Sequence, residues 1–259
     1  MCKFTLFHNA KIFPDKFSDL LDVINTRIDS THIQFTTFIA TPNPEMYVDS
    51  LFDAQFRSIL QNNSFNIIDG FGLHLGLKFF GHKHSRITGT DLVADIFADP
   101  KFSIYILGGL KGNIKKIKRK YPKLNIVGHY DGNVALDDST DLALQINSLK
   151  PDILLVALGA PKQEKWIARN LQHLQNVKIA VGIGGAIDYL SGSVDRAPAF
   201  VRTMGLEWFY RLLKQPERYK RIIKAVVIFP ILFLIVETSL LLLRLLKHYY
   251  TKCKKTCRL

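Results

Sequence analysis

Six short apolar runs recur along the chain, at 33–40, 65–68, 103–107, 125–128, 153–158 and 177–183. They carry β-branched residues and show little polar alternation, the pattern of strands covered on both faces. Between most of them apolar residues return at helical spacing, as in Phe17, Leu20, Leu21, Ile24 and Ile28. Strand and helix in alternation predict an α/β fold, a Rossmann-like and mostly parallel sheet with helices on both faces. A further strand-like piece, Phe4 to Phe7, opens the chain.

The ends of these strands carry the candidate chemistry. Ile153 to Leu158 stops at Gly159, and Pro161-Lys162-Gln163-Glu164 then opens the helical pattern of Trp166, Ile167 and Leu171. Such a junction puts polar residues at the carboxyl edge of the sheet, where open α/β sheets bind ligands. An ordinary strand–loop–helix junction would look the same in isolation; repetition strengthens the functional reading. Ile33 to Ala40 leads into Thr41-Pro42-Asn43-Pro44-Glu45, where Thr41 and Asn43 are either helix caps or ligand contacts. The run through Asn66 delivers Asp69 to a glycine turn, Asp69-Gly70-Phe71-Gly72. That carboxylate either caps the next helix or serves as a general base tuned by burial and neighbours. Arg86 and Gly89-Thr90-Asp91 form a further polar cluster.

Ser103 to Leu107 ends in Gly108-Gly109, whose amides can approach a phosphate at a helix start. The spacing and closing acidic residue of a dinucleotide fingerprint are missing, so the glycine pair alone says little. Tyr130-Asp131-Gly132 makes a turn after the fourth run. Val177 to Ile183 ends in Gly184-Gly185-Ala186-Ile187-Asp188, and Gly192 to Pro198, with Arg196 inside it, breaks regular structure.

Composition adds a division of labour. The 259 residues suit one α/β domain with an appendage. From Arg218 onward ten Lys or Arg face one acid, Glu237, so this tail holds +9 of the formal +13. The charge excess therefore belongs to the tail, and with no recognition motif beside it nucleic acid is not expected as a partner. Cys2, Cys253 and Cys257 lie near the two ends, without metal-ligand spacing or a disulfide framework, which predicts a reducing compartment. No charged-then-apolar leader opens the sequence, which argues against secretion.

The tail also contains the most apolar segment. Residues 225–246 would extend roughly 33 Å as a helix, enough to cross a bilayer core. Pro230, Glu237 and Arg244 interrupt it, and its flanks are basic on both sides, so charge sets no orientation. The segment is expected to associate with membrane lipid, spanning or embedded in one leaflet, in preference to packing as a core helix. Its basic residues would add affinity for anionic head groups. The expected organisation is a core at 1–200, an arginine-rich appendage at 201–224, the hydrophobic segment at 225–246 and a basic tail at 247–259.

Asp69-Gly-Phe-Gly72, Gly108-Gly109, Asp131-Gly132, Pro161-Lys-Gln-Glu164, Gly184-Gly185 and Arg196-Ala-Pro198 follow one another in a familiar order. Gly205-Leu-Glu-Trp-Phe-Tyr-Arg211 and Pro216-Glu-Arg218 complete it. Together they resemble the WecG/TagA/CpsF glycosyltransferases, over about Thr36 to Arg221; residues 1–32 match loosely and the region after 224 departs. The resemblance implies a metal-independent, inverting transfer from a UDP-sugar to a polyprenyl-diphosphate-linked sugar, with no cofactor. The sugar implied is N-acetylmannosamine or a relative, the acceptor N-acetylglucosamine on undecaprenyl diphosphate, and the place the cytoplasmic face of the cell membrane. It also implies self-association.

By matching motifs, Asp69 takes the place of the catalytic base, Thr41 and Asn43 that of the polar loop before the first active-site helix, and Gln163 that of a pocket glutamine. Gly108, Gly109, Asp131, Gly159, Lys162, Glu164, Gly184, Gly185, Asp188 and Arg196 fall in the substrate-binding motifs. Arg211, Arg218 and Arg221 match arginines of an appendage that folds over the site and holds diphosphate. The chemistry is coherent: no Asp-x-Asp pair suggests a bound cation, and guanidinium forks suit a leaving diphosphate. A solvated basic face, or one that touches anionic lipid, is the plainer reading of the same arginines. Pro216, between Arg211 and Arg218, argues against one straight helix carrying both. The competing function is a UDP-binding, membrane-tethered scaffold that transfers nothing.

Overall fold

The computed structural model describes residues 10–13, 16–30, 35–132, 134–136 and 139–256, and the side chains among them except those of 244, 245 and 247–256. The strand-like piece at Phe4 to Phe7, Ile33, Cys2, Cys257 and the side chains of Cys253 and the basic tail lie outside this description.

Six strands form one sheet: β1 (Thr37–Ala40), β2 (Phe65–Asn66), β3 (Ser103–Gly108), β4 (Asn125–Tyr130), β5 (Ile153–Ala157) and β6 (Ile179–Gly182). Their order is β2-β1-β6-β5-β3-β4, and every pairing is parallel. Alternation along each strand divides the core. Leu154 and Val156 join one buried cluster with Tyr47 and Trp166, whereas Ile153 and Leu155 join another with Leu20, Leu92 and Ile117. An unbroken apolar run is what a strand requires when both faces are covered.

Helices supply that cover. Those used below are α1 (Phe17–Asp29), α2 (Pro44–Phe52), α3 (Ala54–Asn62), α4 (Phe71–Phe79) and α5 (Gly89–Ala98), followed by α6 (Asn113–Lys120), α7 (Thr140–Ser148), α8 (Lys162–Asn170) and α9 (Ala186–Leu190). The chain leaves β3 toward β4 on one side and leaves β5 toward β6 on the other. Neighbouring strands whose connections diverge open a crevice at their carboxyl ends. That crevice is where Gly108, Gly109 and Gly159 fall.

The C-terminal part crosses this edge. Helices α10 (Ala199–Thr203) and α11 (Glu207–Lys214) end at Gln215, and a short 3-10 turn, Pro216–Arg218, leads into α12 (Tyr219–Ile223). Proline lacks the amide hydrogen a continuing helix needs, so Arg211 and Arg218 sit on separate pieces, as the sequence suggests. A π-helical stretch, Lys224–Ile228, then opens the long α13 (Phe229–Thr256).

Residues 216–243 are long and apolar enough to cross a membrane by length and composition. They are not free of the globular part, however. Phe229, Phe233, Glu237 and Leu240 form a buried stripe, while Ile231, Leu234, Ile235, Leu241, Leu242 and Leu243 are exposed. Phe229 and Phe233 pack on the ring of Tyr47, with centroids 5.4 and 5.1 Å away. The Tyr47 hydroxyl also interacts with the Glu237 side chain. The acid that interrupts the hydrophobic segment is therefore packed against the globular part beside Tyr47, which lowers the cost of burying it.

Candidate active site

A cavity of about 440 Å³ opens at the carboxyl edge of the sheet. The loop after β1 forms one wall. Thr41 is buried and its hydroxyl donates to the Gly182 carbonyl at 2.8 Å, tying β1 to β6 where both strands end. Asn43 caps α2, its Oδ1 accepting from the Met46 amide at 3.0 Å. The cap reading and the lining reading both hold for it, because Asn43 also lines the cavity.

Asp69 lies next to Asn43 because two loops run side by side: the Asp69 amide donates to the Pro42 carbonyl at 3.0 Å. Gly70 then turns with φ +83°, and a Cβ there would come within 2.7 Å of the Pro44 ring. Only glycine accommodates that turn and that approach. The Asp69 carboxylate accepts from the Gly70 amide at 2.6 Å and the Gly89 amide at 3.2 Å. It makes no capping bond to α4, so the plain cap reading fails. Burial pushes its pKa above the ordinary carboxylate value, and the nearby Glu207 charge adds to that; the two amides and Arg211 oppose it. A carboxylate raised in this way holds a proton better than a free one, as a base in acyl- or glycosyl-type transfer should.

Gln163 stands opposite, at the start of α8. Its Oε1 accepts from the Gly184 amide at 2.9 Å, and its Nε2 donates to Glu164 at 2.7 Å. Both side chains are buried, and one Glu164 oxygen has no partner among the described residues. Desolvation raises the Glu164 pKa to about 7. The floor is completed by Gly109, Gly159, Gly184 and Gly185. Asp188 fastens the glycine turn after β3, accepting from the Leu110 amide at 3.3 Å and Asn113 Nδ2 at 2.6 Å.

The appendage supplies the roof. Arg211, Gln215, Arg218 and Arg221 line the cavity. Arg211 reaches Glu207 at 2.7 Å and lies 5.1 Å above the Tyr189 ring. Arg218 has no ion pair among the described residues. Arg221 is committed to Glu45 at 2.7 Å, and Lys224 to Asp49 at 2.6 Å, so these two pin the appendage to α2.

Thr41, Asn43, Asp69, Gly109, Gly159, Gln163, Gly184, Gly185, Asp188, Arg211, Arg218 and Arg221 thus meet around one space. Five residues expected with them do not line it. Arg196 binds Asp91 at 2.7 Å and Thr88 at 3.2 Å, bracing the start of α5. Glu164 stands behind Gln163 and fixes that amide. Gly108 closes on the Ala157 carbonyl, which a Cβ would meet at 2.8 Å. Asp131 accepts from the Gly112 amide at 3.4 Å, leaving its neighbour Gly132 at the wall, and Lys162 is not part of the lining. Glu45, Tyr189 and Glu207 were not foreseen. Glu45 and Glu207 sit inside quoted motifs; nothing in the local pattern marks Tyr189.

Among the described residues no group of three or more His, Cys, Asp or Glu side chains converges as a metal site. A partly buried carboxylate beside guanidinium groups, at the edge of a parallel sheet, is an arrangement whose chemistry suits group transfer on a substrate carrying phosphate. The model of the glycosyl transferase WecG/TagA/CpsF family matches residues 7–241, and the chain belongs to that family. The match runs past Arg221 and takes in the first part of the hydrophobic segment, so the departure expected after 224 begins later. The chain is 36% identical over 193 residues to N-acetylglucosaminyldiphosphoundecaprenol N-acetyl-beta-D-mannosaminyltransferase of Bacillus subtilis (strain 168), covering 71% of this chain and 74% of that one. It is 34% identical over 220 residues to the protein of the same name in Bacillus spizizenii (strain ATCC 23059 / NRRL B-14472 / W23), covering 78% and 84%.

Proposed function

We propose that this protein transfers N-acetylmannosamine, or a closely related hexose, from a UDP-sugar to N-acetylglucosamine carried on a polyprenyl diphosphate. The observation that carries the reading is Asp69, a carboxylate of raised pKa held between the glycine-floored cavity and the arginine roof. The names of the two relatives supply the acceptor class and the sugar.

In this reading Asp69 takes the proton of the acceptor hydroxyl as its oxygen forms a bond to the donor's anomeric carbon. The bond from that carbon to the diphosphate breaks on the opposite side, which inverts the centre and releases UDP. The negative charge developing on the leaving diphosphate meets Arg218 and Arg211, together with amides of the glycine turns. Arg221, paired with Glu45, acts mainly by holding the roof. Because cationic side chains meet the leaving group, the reaction is proposed to need no divalent cation. The exposed apolar face of α13 and a lipid-linked acceptor support a location at the membrane; the face proposed is the cytoplasmic one, where nucleotide-activated sugars reside.

A panel of UDP-sugars offered with N-acetylglucosamine diphosphate on a lipid tail, with and without EDTA, tests this. Product from one donor that survives EDTA is the expected result. UDP binding with no transfer from any donor would favour the tethered scaffold instead, and loss of product with EDTA would refute metal independence.

A further inference from the structure

Beside the polar cavity lies a second one of different character. It measures about 670 Å³, within the range of roughly 300–1,000 Å³ typical of small-molecule sites. Phe71, Leu75 and Phe79 of α4 face Phe229, Phe233 and Leu234 of α13 across it. Gly72 and Gly76 let the two helices close: a Cβ on Gly76 would fall 2.7 Å from the Phe233 ring. The groove is open rather than filled, since Phe79 is 80% exposed, Leu75 49% and Leu234 50%. Apolar surface left uncovered on this scale calls for an occupant.

The two cavities meet at one place. Asn43, Glu45, Asp69 and Arg211 line both. Asp69 is therefore approachable from the polar side and from the apolar side, as a base must be when donor and acceptor arrive separately. Charged groups of both signs line the groove, Glu45, Asp69 and Glu207 beside Arg86, Arg202 and Arg211. Arg211 is paired with Glu207 at 2.7 Å and Arg202 approaches Asp91 at 3.9 Å, whereas Arg86, over the Phe71 ring at 5.8 Å, has no carboxylate partner among the described residues and is the cation left for a ligand.

We propose that this groove holds the first isoprenoid units of the acceptor's lipid tail, with Arg86 meeting the diphosphate at the end next to Asp69. The inference rests on the acceptor assignment above. Charge and position favour a lipid over a protein occupant. One wall is α13, whose other face carries the exposed Ile231, Ile235 and Leu242, so a chain already in the bilayer enters without crossing water. An anionic head group then finds guanidinium where the apolar walls stop. The tail would lie between the membrane helix and the catalytic domain, and the sugar would project past Asn43 to the base.

The test uses full-length protein and two acceptors with the same sugar diphosphate, one on a single isoprene unit and one on a tail of several. The longer tail should give the lower KM, by about tenfold or more given the apolar area available for burial. Leu75→Glu, a change at an exposed groove position, should collapse that difference, with UDP affinity measured alongside to report the fold. Equal KM values for both tails in the wild-type protein, or a long-tail KM untouched by Leu75→Glu, would overturn the groove's role. Transfer to neither tail would instead remove the acceptor assignment, and the occupant with it. A diazirine on the first isoprene unit, next to the diphosphate, gives an independent readout. Labelling within 71–79 and 229–234 supports the groove; labelling confined to 241–246 shows bulk lipid contact and refutes it. Chain-to-chain crosslinks through the Leu75 face would give the groove to a second copy and refute it as well.

Discussion

Asp69 owes its character to the groups packed around it. Gly70 and Gly89 orient it by their amides, Glu207 and burial push its pKa up, and Arg211 pulls it down. It accepts a proton only when ionised, so turnover should fall as pH drops through this raised pKa. The acid limb of kcat is then expected above the ordinary carboxylate value of 3.8. Arg211→Gln removes a stabilising charge and should move that limb to still higher pH; a limb that moves down would contradict the assignment. Glu164 makes a separate prediction about stability. Its pKa is about 7 when folded against an ordinary 4.5. Its contribution is full below the unfolded value and is lost as pH rises through about 7, because the folded state resists ionising it. Glu164→Gln keeps the shape and an acceptor for Gln163 Nε2, so above pH 7 it should raise stability, by on the order of 1–3 kcal/mol, in a denaturant titration. Below pH 4.5 the variant and the wild type should be close.

At the scale of elements, the strands were legible from local pattern, whereas the roof was expected only from the family resemblance. An apolar run such as Ile153 to Val156 declares a doubly covered strand whatever lies elsewhere, and each glycine after such a run marks a carboxyl edge. Asp69 and Arg196 look equally functional by that local criterion. They part only because Asp91, a partner 105 residues away in sequence, captures Arg196. The docking of the appendage depends on contacts of the same remote kind, with Lys224 and Asp49 separated by 175 residues. The apolar groove exists only once α13 lies against α4. Two sorts of contact hold that arrangement. The pairs Arg221–Glu45 and Lys224–Asp49 are partly exposed, worth about 0–1 kcal/mol each. Phe229 and Phe233 are buried on Tyr47, and truncating such a ring costs about 3–5 kcal/mol. Phe233→Ala should therefore free the appendage to proteolysis and depress turnover, whereas Arg221→Ala with Lys224→Ala should do less of both. The opposite ranking would mean that charge, not packing, seats the roof.

Across the whole molecule, exposed apolar side chains and basic residues gather in the C-terminal part. Phe200, Met204, Phe209 and Leu213 of the appendage are exposed, as are the apolar side chains along α13, and ten basic residues follow from Arg218. Apolar contact and electrostatic attraction differ in their response to salt. Vesicles of anionic lipid should bind the full chain, and high salt should weaken that binding without abolishing it. Complete release by salt would show that the apolar face is not inserted. The central claim is nonetheless chemical: Asp69 is the base of a sugar transfer to a lipid-linked acceptor. The most direct measurement compares wild-type protein with Asp69→Asn for transfer from UDP-N-acetylmannosamine to N-acetylglucosamine diphosphate lipid, with UDP-sugar affinity measured on the same samples. Turnover should fall by on the order of 10²–10⁴-fold while donor affinity stays within a few-fold. Normal turnover by Asp69→Asn would contradict the account.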